Sequence, residues 1–157
     1  MSVKLRGQSA ILRFILAILL PDINAACFLA NNVKENTMTI HRINPGTRWS
    51  DITVFNGIAH FVEVADSDTS ADMQGQVEQV LAQAERQLAK IGSDRSRILS
   101  VTIYVTDFAD LPVLNQIWDA WFPEGCAPSR ACVKAELADP DYKVEMAFVV
   151  AAGEQYQ

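Results

Sequence analysis

From Met38 onward the apolar residues of this chain keep changing period, and that succession limits it to a sheet with helices threaded through it. Strand side chains repeat every two residues and helix side chains every 3.6, so each change marks an element boundary. Thr39 to Ile43 and Asp51 to Phe55 read as short strands. Asn56-Gly57 is a tight-turn pair, and Ile58 to Val64 returns as the partner strand. Met73, Val77, Val80, Leu81, Ala84, Leu88 and Ile91 then recur at three- and four-residue steps, as on one face of a helix. The stretch Asp66 to Asp72 offers that helix its N-caps, and Gly92 closes it.

Alternation resumes from Arg97 to Asp107, with Leu99, Val101, Ile103 and Val105 set against Ser100, Thr102, Tyr104 and Thr106. Asp110-Leu-Pro112 opens a second helix whose Leu114, Ile117, Trp118 and Trp121 face the core, and it ends before Pro123 and Gly125. Trp118 and Trp121 read as packing residues, and His41 and His60 stay unassigned. With two further strands around Asp139-Pro140 the order is βββαβαββ: an α+β fold, a mixed six-stranded sheet with two helices on one face. The other face needs a cover, and an oligomer partner is the simplest one.

The last two strands carry the residues best equipped for chemistry. On the first, Ala131, Val133, Ala135 and Leu137 share one parity, the expected core face, and Arg130, Cys132, Lys134 and Glu136 share the other. On the second, Val144, Met146, Phe148 and Val150 read as the core face and Lys143, Glu145 and Ala147 as its opposite. If the two form a hairpin, the polar groups share a face. A loop of Leu137 to Pro140 sets Cys132 opposite Glu145, with Arg130 on the diagonal roughly 7–8 Å away. A loop of Ala138 to Asp141 moves Arg130 out of reach, and turn chemistry does not choose between them. The first register is the expectation.

At 157 residues and half apolar, the chain can bury one good-sized core, and a net charge of −6 gives no basic footprint for nucleic acid. The seven glycines form no phosphate-cradling loop. Cys27, Cys126 and Cys132 lack paired metal spacing, so neither a metal site nor a disulfide framework is expected, as suits a reducing compartment. Residues 1–37 form an N-terminal extension to a domain over 38–157. Lys4 and Arg6 precede an apolar stretch from Ala10 to Leu20, interrupted by Arg13 and stopped by Pro21. That is too short for a membrane span, which needs about 20 residues. It fits an export signal, a helical appendage, or residues upstream of a natural start at Met38. The location expected is cytoplasmic, or exported if the signal is genuine.

From Met38 to about Ala152 the chain resembles the RidA/YjgF (Rid) family of reactive-intermediate deaminases. The resemblance rests on Pro128-x-Arg130-x-Cys132-Val133, Val144-Glu145, Asn115 and Asp107, and on Arg48-Trp49-Ser50-Asp51, which marks one branch. It implies a chorismate-mutase-like fold, a homotrimer with ligand clefts between subunits, and cofactor-free, metal-free hydrolysis of 2-imino acids and enamines of the 2-aminoacrylate type to 2-oxo acids and ammonia. By position, Arg130 would clamp the substrate carboxylate and Glu145 would handle the attacking water. Cys132 would anchor water or imine through its backbone carbonyl rather than act as a nucleophile, while Asn115 and Trp49 would line the substrate. Where the common family has a Ser-Gly-Gln-type stretch, this chain has Phe61-Val-Glu63-Val-Ala65-Asp66, which adds carboxylates. The rival implication is a trimer that binds small carboxylates without turnover.

Overall fold

Asn56 and Gly57 adopt φ of 50° and 75°, the paired positive values of a type I′ turn, and so fix the hairpin between the strands that flank them. The structure, a computed structural model, describes residues 39–157; the extension assigned to 1–37, with Cys27, lies outside them. Strands β1 (His41–Pro45), β2 (Ser50–Phe55) and β3 (Ile58–Val64) form the expected antiparallel meander. Helix α1 spans Met73–Lys90, and its N-cap Asp72 accepts a 2.9 Å bond from the Gly75 amide. At its far end Gly92, at φ 64°, lets the Ser93 and Gly92 amides return to the Leu88 and Ala89 carbonyls, the pairing of a Schellman cap. Strand β4 (Ile98–Val105), helix α2 (Leu111–Trp121), β5 (Ser129–Lys134) and β6 (Val144–Ala151) complete the order βββαβαββ. Among the described residues no helix is long and apolar enough to cross a membrane.

The strands lie in the order β1-β2-β3-β6-β4-β5, with every pair antiparallel except β4 and β5. One sheet face meets both helices. There Ile52, Val54, Phe61, Val101, Ile103, Met146 and Phe148 close on Val77, Leu81, Leu88, Leu114 and Trp118, all buried. Phe61 and Phe148, register partners on β3 and β6, stack with ring centroids 4.8 Å apart. Each such side chain contributes about 1.5–3 kcal/mol by leaving water.

The last two strands do not form a hairpin, so the expected pairing of Cys132 with Glu145 is absent. Instead β4 lies between them, with Val101 facing Arg130 and Ile103 facing Cys132 across one edge, and Tyr104 facing Glu145 across the other. The β4–α2–β5 segment is a crossover, which delivers its second strand parallel to its first. The Asp139 turn does form, its carboxylate accepting from the Asp141 amide, but it lies within the loop that leads back to β6.

The parity assigned to β5 is also reversed. Cys132 packs against the core, while Ala131 and Val133 stand exposed on the face that no helix covers. Apolar residues occur on both faces of this sheet, and alternation alone does not say which parity meets the helices. Leu99, grouped with the buried residues of β4, is exposed because a register shift falls between Ile98 and Ser100.

Candidate functional site

Two lines of side chains across the helix-facing side end at the sheet edge. One runs Phe61, Phe148, Val101, Arg130 and the next Glu63, Met146, Ile103, Cys132. Arg130 thus continues an apolar row but sits on the edge strand, where its guanidinium is exposed. The adjoining surface is α2. Nη1 of Arg130 donates a 2.9 Å hydrogen bond to Oδ1 of Asn115, and Cζ lies 5.3 Å from the centre of the Trp118 ring. These residues meet because Asn115 and Trp118 stand three apart on α2, on one helix face. Among the described residues Arg130 makes no ion pair, although Lys134, further along β5, holds Asp107 at 3.6 Å.

Cys132 is half-buried beneath this corner. Burial pushes its thiol upward from the usual range, with the Arg130 charge opposing, so it is mostly protonated and a poor nucleophile.

Glu145 and Trp49 lie elsewhere. Glu145 belongs to the opposite line Val64, Glu145, Tyr104, Val133, on the face without helices. Its neighbour Tyr104, about 4.5–5.5 Å away between Cβ atoms, sets a phenol beside the carboxylate. Trp49, on the β1–β2 loop, is 69% exposed. With Thr53, His60, Val62, Ala147 and Val149 it borders an open groove of about 630 Å³ on the same face, and Val64 at one end pairs with Glu145. One chain therefore gathers Arg130, Asn115 and Cys132 in one place, and Glu145 and Trp49 in another.

Glu63 also lines the groove beside Trp49, together with Gln87. It is buried under α1, where Gln87 donates a 2.7 Å bond to it. Burial raises its carboxyl pKa, the Gln87 bond lowers it, and the charges of Asp51 and Asp66 raise it further.

Sequence reasoning missed the contact of Trp118 with Arg130 and the adjacency of Tyr104 to Glu145. The first is signalled only by knowing that β5 abuts α2, and the second only by the strand order.

Comparison with known proteins agrees with this architecture. The sequence model described as Endoribonuclease L-PSP matches residues 39–152. A RutC family protein of Escherichia coli, YoaB, is 41% identical over 114 residues, 73% of this chain and 99% of the relative. An Acinetobacter baylyi protein named 3-aminoacrylate deaminase RutC is 31% identical over 105 residues, 67% of this chain and 82% of its own. A solved YjgF-family protein from Neisseria meningitidis is 35% identical with a TM-score of 0.70, covering 74% of this chain and 98% of that one. With a family match over nearly all the described residues and relatives that align almost end to end, this chain belongs to the RutC/YjgF (Rid) family.

Proposed function

We propose that this protein hydrolyses reactive 2-imino acids and their enamine tautomers to 2-oxo acids and ammonia in the cytoplasm, with each site completed by a neighbouring subunit of a homotrimer. The observation that carries the reading is the Arg130 guanidinium, exposed at a sheet edge, held by a neutral amide and free of any ion pair among the described residues. A planar guanidinium binds a carboxylate through two parallel charge-assisted hydrogen bonds, and every 2-imino acid has a carboxylate beside the electrophilic C=N carbon. The 31% identical relative named as a 3-aminoacrylate deaminase supports the same reaction class.

In the proposed reaction the carboxylate docks on Arg130 and water adds to the imine carbon. Glu145 accepts a proton from the water and passes it to the imine nitrogen, giving the carbinolamine; it then carries the hydroxyl proton to the amine nitrogen, so that the C–N bond breaks to release ammonia as the C=O bond forms. Orientation provides much of the acceleration, because imines hydrolyse readily in water. Cys132 acts through its backbone.

The oligomer is part of the proposal because Arg130 and Glu145 stand on opposite faces of one sheet. The open face offers Val62 at 53% exposure and Val133 at 44%, with Val64, Ala147 and Val149 between the polar members, as suits burial against another copy.

Separation of the two residues within one chain favours a second reading, a carboxylate-binding trimer without turnover. A direct assay separates them: 2-aminoacrylate is generated enzymatically and release of pyruvate is followed with and without this protein. Acceleration supports the deaminase; pyruvate binding without acceleration supports the second reading and ends the first.

A further inference from the structure

Two arginines of this protein lie against tryptophans of α2, and they differ in whether an anion accompanies them. The Arg95 guanidinium is 5.8 Å from the Trp121 ring centre, with Glu85 at 3.5 Å and the Trp121 carbonyl accepting a 2.7 Å bond. Its charge has an anionic partner. Arg130 has the same aromatic support at 5.3 Å, but the position that Glu85 fills for Arg95 is taken by the uncharged amide oxygen of Asn115.

We propose that Asn115 and Trp118 are positioning residues which hold the Arg130 guanidinium in place without neutralising it, keeping it fixed and charged for an incoming carboxylate. The ring face attracts the cation and removes rotamers, and the amide oxygen fixes rotation of the plane through one Nη1 hydrogen. The remaining N–H donors stay available. An arginine fixed beforehand loses less freedom on binding, which strengthens binding without any new contact to the ligand. A carboxylate at position 115 would fix the guanidinium equally well and compete with the ligand.

The inference deepens the proposed carboxylate clamp and rests on it for its ligand. It assigns Trp118 a role beyond core packing and places Asn115 behind Arg130 rather than against the substrate.

The test titrates the full-length protein with pyruvate by calorimetry and follows the Arg130 Nε–H signal by ¹⁵N NMR. Asn115→Asp is isosteric and retains the hydrogen bond, yet should weaken pyruvate binding about tenfold or more, because it supplies an internal anion. Trp118→Leu should weaken binding about two- to fivefold and remove the ring-current shift of the Arg130 Nε–H. Trp118→Phe, which keeps an aromatic face and the fold, should restore part of both. A purely structural role would move neither the Nε–H signal nor affinity in the folded Asn115→Asp protein. Wild-type affinity in Asn115→Asp, or an unchanged Arg130 signal in both Trp118 variants, would overturn the proposal. If wild-type protein itself failed to bind pyruvate, the carboxylate-clamp reading would fall, while the ring-current comparison would still decide whether Trp118 holds Arg130.

Discussion

Arg130 and Glu145 stand on opposite faces of the same sheet, because Arg130 pairs with Val101 and Glu145 with Tyr104, positions of opposite parity on β4. No change of loop length between β5 and β6 alters this. A reaction that uses both groups therefore has to bring them together around the sheet edge or across a subunit boundary.

The division of roles between the two can be read directly. Arg130→Ala should abolish pyruvate binding and 2-aminoacrylate turnover together. Glu145→Gln should leave the pyruvate dissociation constant within about twofold and lower turnover by about 10²-fold, the usual contribution of a positioned acid–base group. Calorimetry and the coupled pyruvate-release assay check this, and equal loss of binding in both variants would contradict it.

Burial of the open face can be measured by sedimentation. Wild-type protein should sediment with the mass of three chains. Val62→Arg, at a side chain 53% exposed in one chain, should yield folded monomer with wild-type circular dichroism and no deaminase activity. A monomeric wild type with full activity would refute the composite site.

Glu63 makes stability depend on pH. Its folded-state pKa lies above the ordinary 4.5, chiefly because burial disfavours the carboxylate. The stability associated with it is whole below about 4.5, the unfolded value, and is lost as pH rises through the folded-state pKa. Glu63→Gln keeps an oxygen that can accept from Gln87 and removes the charge. It should leave the melting midpoint unchanged near pH 4 and raise it by about 3 °C at pH 7.5, as scanning calorimetry would show.

Gln76 is fully buried and fastens two loops to α1. Its Nε2 lies 2.8 Å from the carbonyls of Thr69 and Asp141, and its Oε1 accepts from the Lys143 amide at 2.8 Å. Gln76→Leu leaves those backbone groups without their partner and should cost about 2–4 kcal/mol in urea denaturation. Because Lys143 leads directly into Val144 and Glu145, turnover should fall as well, even where the variant remains folded.

Most elements were legible because local rules agree on them. Asn56-Gly57, Asp72 and Gly92 each marked a boundary through their own backbone or capping chemistry, and the spacing of Val77, Val80, Leu81 and Ala84 could only be helical. Strand pairing was less legible, because it is a long-range choice. The turn at Asp139 looked like the tip of a hairpin although β4 separates the two strands it connects. The parity of β5 was misread for a related reason: Ala131 and Val133 are apolar on a face that helices do not cover, and Cys132 is the small residue that fits against the core. Arg130 and Cys132 are identifiable as candidates by residue type and spacing and Asn115 through the family resemblance, whereas their separation from Glu145 follows only from the strand order.

The strand that comes last in sequence, β6, fills the middle of the sheet between β3 and β4. During synthesis those two strands emerge with unpaired edges facing an empty slot, and neither can pair with the other across the width of a missing strand. Until the slot is filled, the nascent protein presents two sticky edges to its surroundings. Cells making this protein quickly should therefore find it most vulnerable to misassociation just before synthesis ends, and chain-terminating mutations upstream of Val144 should yield aggregates rather than a smaller folded domain.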